Sequence, residues 1–310
     1  MAAPANLTTA SQITTTIREI DFVTQFQKNW DALRTILGIM RPIRKAPGTK
    51  LVSYKATVDG TLQGGASVGE GEDIPLTKTK VEPVAYGDIV LEKYAKAVSI
   101  EAVTAYGAEV AVERTDTAFR NELQKKVMTD FYTFLKTGKL VGTQKTWQKT
   151  LAIAKGAVLK RFANDNLDVT EVVGFANIMD FYGWLGDKEI TVQTQFGLTY
   201  VKNFLGYSTL FLLPDNYIPQ KTVIATPVEN IDLYYVDPAD RDYATMGANY
   251  TVSGETNLIG YHTEYNYKNA TTTNYALLGM KLWAEYLDGI AVVTVAAADK
   301  EPAVTESIVP

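Results

Sequence analysis

The chain has 310 residues, of which 46% are hydrophobic and 21% charged, with no cysteine and a single histidine, His262. The absence of thiols excludes disulfides, thiol nucleophiles and thiolate metal sites, and one imidazole excludes paired-histidine metal centres. Residues 1–150 carry 20 basic and 16 acidic groups against 10 and 19 in residues 151–310, and the overall acidity argues against a dedicated nucleic-acid binder.

The first twenty residues are rich in Thr, Ala and Ser and lack the apolar core of a secretory signal, so they read as a mobile start to a chain made in the cytoplasm. Asp21 is expected to cap a short helix with an apolar stripe of Phe22, Phe26, Trp30, Leu33 and Leu37, stopped by Pro42. Residues 1–47 thus form an N-terminal arm whose stripe must dock on its own domain or on a neighbour.

Residues 48–99 change character. A strand at Leu51–Val58 runs into a tip holding Gly60, Gly64, Gly65, Gly69 and Gly71 beside Glu70, Glu72 and Asp73. An extended return from Ile74 to Val98 makes the whole segment one long hairpin arm. The tip imitates a phosphate-binding loop, but Glu70 stands where a phosphate-facing lysine belongs and no strand-to-helix context surrounds it. Isolated two-stranded ribbons are marginal in water, so this one is expected to lie on a neighbouring chain.

Phe119, Leu123, Val127, Phe131 and Leu135 recur every fourth residue and predict a strut helix over Asp116–Lys136, about 30 Å long. Thr115 or Asp116 is its expected N-cap, and Gly138 the expected left-handed residue past its end. Trp147, Leu151, Ala154, Val158 and Phe162 predict a second amphipathic helix. Strands are read at Val169–Asn177, Phe204–Leu213, Thr222–Pro227 and Ile231–Pro238, and a short helix at Ile178–Gly186. Residues Asn257–Val295 are mostly extended, and 299–310 read as a flexible tail.

Groups able to do chemistry are sparse. Asp237, Asp240 and Asp242 could converge on a hard cation, but without the glycine and terminal glutamate of a calcium loop they read as a polar turn. His262 and Glu264 share a strand face, yet no nucleophile on a strained elbow accompanies them, so the histidine reads as structural. No catalytic, cofactor-binding or metal site is expected, and no apolar run approaches the roughly 20 residues of a membrane helix.

The order of elements resembles the major capsid proteins of tailed bacteriophages, the Hong Kong 97-type fold. Ile89–Gly107 (IVLEKYAKAVSIEAVTAYG) resembles the return of that family's extended loop, and Asp116–Gly138 its spine helix. Val172–Asp187 is similar to a strand and helix of its axial domain, and Phe204–Thr226 to an apolar strand and its return strand there. The resemblance covers roughly residues 20–297 and implies an α+β chain with arm 1–47, extended loop 48–99, and a peripheral domain at 100–140 and 233–286. The axial domain would be 141–232 and 287–298. It further implies a non-enzymatic subunit that builds hexamers and pentamers of an icosahedral shell around double-stranded DNA, without sequence-specific binding and without membrane contact. The implied partners are a portal and, given the short segment before the first helix, a separate scaffolding protein or none. An encapsulin-like nanocompartment shell is the alternative, and a hydrolase built on His262, Glu264 or the Asp237–Asp242 cluster a distant third.

Overall fold

The computed structural model describes residues 18–26, 28, 40–63, 68–185, 192–195, 198–252 and 257–296. Residues 1–17 of the expected mobile start, Trp30, Leu33, Leu37, Gly64, Gly65 and the tail at 299–310 lie outside the described residues. Residues 18–20 of that start are instead ordered in a helix, held by the Arg18 ion pair and the burial of Glu19.

Residues 18–26 are helical (α1). Asp21 therefore lies inside this helix and is not its cap. Phe22, Val23 and Phe26 are buried in the chain's own core, and Phe22 stacks on Tyr261 with ring centroids 4.0 Å apart. Strand β1 (Arg41–Lys45) then runs parallel to β11 (Ile231–Val236). The described part of the expected arm is thus docked on this chain, because its apolar stripe finds a partner there.

Strands β2 (Lys50–Val58) and β3 (Thr79–Asp88) form a sheet of two. The expected hairpin return to residue 98 is corrected here. After Asp88 the chain enters β4 (Leu91–Ser99), which pairs with Thr271–Gly279 of the long strand β13 (Thr271–Ala284). Two strands in line carry one continuous alternation, so side-chain period alone does not reveal the change of partner. β13 also pairs with β12 (Ile259–Asn266) and, through Met280–Ala284, with β11, completing a five-stranded sheet.

Helix α2 (Ile100–Ala108), capped by the Ser99 hydroxyl, is kinked at Gly107, whose φ of 79° is not helical. Beyond the kink a π-helical stretch at Glu109–Arg114 runs into α3 (Thr115–Leu135). The expected cap is corrected: α3 does not begin at a cap, and Asp116 is freed for the ion cluster described below. Past its end, Gly138 does not adopt a positive φ. Glycine is needed there because an added Cβ would meet the Ile290 carbonyl and side chain at 2.7 Å.

The second sheet has seven strands in the order β5-β14-β10-β6-β9-β8-β7. They are β5 (Leu140–Gln144), β6 (Val172–Asn177), β7 (Gln193–Gln195), β8 (Leu198–Phe204), β9 (Tyr207–Leu213), β10 (Thr222–Pro227) and β14 (Ala291–Val295). A hairpin through Leu205 and Gly206, both at positive φ, joins β8 to β9. Leu205 pays a steric cost there that Gly206 does not, and the apolar run across it hid the turn. Helices α4 (Trp147–Asn164) and α5 (Ile178–Leu185) follow β5 and β6 in the chain.

Central strands of this sheet feed two cores. Val173, Phe175, Phe211 and Ile224 join the core built on α1, α3 and the five-stranded sheet. Val172, Ala176, Leu210, Leu212, Val223 and Ala225 join the core under α4 and α5. Burial on both faces is why β6 and β10 read as unbroken apolar runs. On α3, Leu123, Val127, Phe131 and Leu135 are buried and Phe119 packs against the same core. Phe131 and Tyr132 reach the Phe175 ring of the seven-stranded sheet, so one helix ties the two sheets together.

Candidate assembly interface

The β2–β3 ribbon is held by its own ladder. Its register runs from Lys50 opposite Asp88 to Val58 opposite Thr79, with an irregularity at Leu51/Val52. The Asp59 N–H extends it by donating to the Lys78 carbonyl at 2.8 Å. At the tip, the Gly69 N–H donates to the Glu72 carboxylate at 3.0 Å. Gly60, Gly69, Glu70, Glu72 and Asp73 are all placed there, and of the three acids Glu72 alone holds the turn through its side chain among the described residues.

Of the ribbon side chains described, Leu51 alone is buried. Val52, Tyr54, Val58 and Val81 are exposed, and toward the tip Leu62, Ile74 and Leu76 are 79%, 75% and 94% exposed. Single exposed apolar residues are ordinary on a protein surface. Beyond its base, where Leu51 is buried, no other layer of this chain lies against the ribbon among the described residues, an unusual state for a two-stranded sheet with this many exposed apolar side chains.

The body that carries the ribbon is braced by charge. The Asp116 carboxylate, at the start of α3, takes an ion pair from Arg18 of α1 and another from Lys96 of β4. The Arg18 guanidinium also donates to the Asn274 side chain at 3.0 Å. Burial alone would raise the Asp116 pKa; the hydrogen bonds and charges of Arg18 and Lys96 outweigh it and hold the carboxyl below its ordinary value. Glu19 of α1 is buried and accepts from the Thr251 hydroxyl at 2.7 Å and the Thr263 N–H at 2.5 Å. A second set joins β4 to α3: Lys126 pairs with Glu92 at 3.1 Å and with Asp130. Burial, then the hydrogen bond to Glu92, pushes the Tyr94 hydroxyl up to about 12. Apart from Lys126–Asp130, an i,i+4 pair within α3, the ion pairs are not visible in the sequence, because their partners stand far apart, 98 residues for Arg18 and Asp116.

Asp237, Asp240 and His262, considered for chemistry, have structural partners. Asp237 accepts from the Ala239 N–H at 2.9 Å and the Asn257 amide at 3.0 Å, and it pairs with Arg44 at 3.2 Å. Asp240 caps the short helix α6 (Arg241–Thr245), accepting from the Asp242 N–H, and meets the same Arg44. Among the described residues no group of three or more acidic or histidine side chains is arranged to hold a metal ion. His262 on β12 lies between the rings of Tyr250 and Tyr275, and Glu264 is exposed.

No family model and no curated protein sequence matches this chain. Solved structures nevertheless share its architecture at high coverage. The mature capsid of bacteriophage PhiM1 aligns over 84% of this chain and 87% of its own, with a TM-score of 0.55 and 7% identity. The capsid of cyanophage P-SCSP1u aligns over 84% and 87%, with a TM-score of 0.52 and 8% identity. This is the Hong Kong 97-type capsid fold. The SrpI encapsulin of Synechococcus elongatus PCC 7942 also aligns, over 84% and 86%, with a TM-score of 0.51 and 11% identity. At such identities the likeness is one of fold.

Proposed function

We propose that this chain is a major capsid protein whose copies close into an icosahedral shell around double-stranded DNA. The observation that carries the reading is the β2–β3 ribbon, which exposes Tyr54, Leu62, Ile74 and Leu76 and, among the described residues, has no further layer of its own chain against it beyond its base. A subunit that extends such a ribbon buries less apolar surface alone than it does among copies, and repeated symmetric contacts supply the difference. Many weak contacts of this kind anneal individually and hold collectively.

In this reading the five-stranded sheet with α2 and α3 is the peripheral domain, and the seven-stranded sheet with α4 and α5 is the axial domain around the capsomer axes. Hexamers and pentamers form the shell, a portal occupies one vertex, and a separate scaffolding protein, if any, guides assembly. The shell forms in the host cytoplasm and becomes the virion capsid. Its role is structural and not enzymatic, and packaged DNA is enclosed without sequence readout.

The likeness to an encapsulin supports a second reading, a nanocompartment shell. Negative-stain electron microscopy of purified protein over a range of ionic strengths tests the shared claim: closed shells are expected, and small compact particles under every condition would end both readings. Particle contents then separate them, since packaged genome identifies a capsid and a co-purified enzyme a compartment.

A further inference from the structure

Two regions of the chain carry opposite, unshared charge. From Gly60 to Thr77 there are three acids, Glu70, Glu72 and Asp73, and no cation. From Phe131 to Asn164 there are seven Lys and Arg residues and no acid. Lys155 and Arg161 of this second stretch are engaged, with the Gly206 carbonyl and with Asp165 and Asp288. Lys136, Lys139, Lys145 and Lys149 are exposed and have no ion-pair partner among the described residues.

These four lysines bracket an open sheet edge. β5 is the terminal strand of the seven-stranded sheet, paired with β14 on one side and with no strand on the other among the described residues. Its five residues span about 17 Å, with Lys139 immediately before the strand and Lys145 immediately after it. The strand itself is uncharged, and Val141 is 78% exposed on it. Lysines inside an edge strand guard against strand addition. Here they stand at its ends, leaving an uncharged edge with exposed Val141 between positive poles.

We infer that this basic belt around β5 receives the acidic ribbon tip of a second copy of the chain. The tip offers the complement: Glu70, Glu72 and Asp73 for the lysines, and exposed Leu62, Ile74 and Leu76 for the Val141 edge. The inference rests on the shell reading above and adds to it the surface that accepts the ribbon. Complementary charge of this kind sets register and partner choice and weakens with salt.

The absence of native cysteine gives a test that does not depend on shells forming. Full-length Glu72→Cys and Lys145→Cys proteins are mixed under mild oxidation. A crosslink between unlike copies, faster than for a Glu72→Cys and Lys281→Cys mixture, is expected; equal rates overturn the inference. In parallel, K139E/K145E/K149E and E70K/E72K/D73K are each expected to lower the assembled fraction at low salt about tenfold, and their combination in one chain to restore it. Failure of the combination to recover, with each set folded by circular dichroism, overturns the inference while wild-type shells leave the function intact. Wild-type protein that forms no shell but still gives the selective crosslink does the reverse. A lysine-reversed variant that assembles normally but loses binding to a short DNA duplex would assign the belt to nucleic acid and also overturn it.

Discussion

The spine helix and the ribbon are built from similar proportions of apolar and polar residues and meet opposite fates. On α3 the apolar side chains turn inward, and Phe131 and Leu135 are completely buried between two sheets. On the ribbon Tyr54 and Val81 stay in solvent. The contrast teaches that apolar content does not tell where burial occurs: α3 is completed by its own chain, whereas the ribbon, among the described residues, has strand partners but beyond Leu51 no core. Stability of the subunit should therefore reside in one region and assembly in the other.

The largest effect should come from opening the spine. Phe131→Ala removes a ring in contact with Tyr132 and Phe175 and should cost about 3–5 kcal/mol in urea unfolding of the subunit; a loss below about 1 kcal/mol would place Phe131 on a surface. Asp116→Asn leaves Arg18 and Lys96 facing a neutral amide in a mostly buried cluster and should cost about 3 kcal/mol at neutral pH. The sign of its pH dependence follows from the lowered Asp116 pKa. The stabilisation is complete above about pH 5 and is lost as pH falls through the ordinary carboxylate value and then the depressed folded one. The Asn variant should accordingly show a shallower loss of stability in acid than the wild type. Gly138→Ala drives a Cβ against Ile290 and should cost about 1–3 kcal/mol.

At the other end of the scale, deleting Gly60–Asp73 or changing Leu76→Ser should alter subunit stability by less than about 0.5 kcal/mol. The deletion should nevertheless abolish shell formation, measured by sedimentation. A ribbon deletion that unfolds the subunit, or one that assembles normally, would erase the distinction between the two regions.

How much of this was legible in the sequence follows the same division. Helices α3 and α4 stand out because each lays an apolar stripe at helical spacing on one side, and the buried runs of β6 and β10 stand out because both faces are covered. The fold resemblance rested on the order of these elements. What escaped were choices of partner. Nothing local distinguishes β3, paired with β2, from β4, paired with β13, since both alternate in one continuous stretch. Nothing local tells that Asp116 serves Arg18 and Lys96 instead of a helix end, or that Gly138 yields space to Ile290 instead of supplying a left-handed turn. The tip acids and the Lys136–Lys149 group are plain in the sequence as charge, but the open β5 edge between the lysines exists only once the sheet is built.

The most direct measurement is amide hydrogen exchange across β2 and β3 in dilute subunits and in assembled particles. Exchange near the unprotected rate in the free subunit, with strong protection on assembly and little change in α3, is the predicted result. Equal and strong protection of the ribbon in the dilute subunit would show that it is complete without copies and would contradict the account.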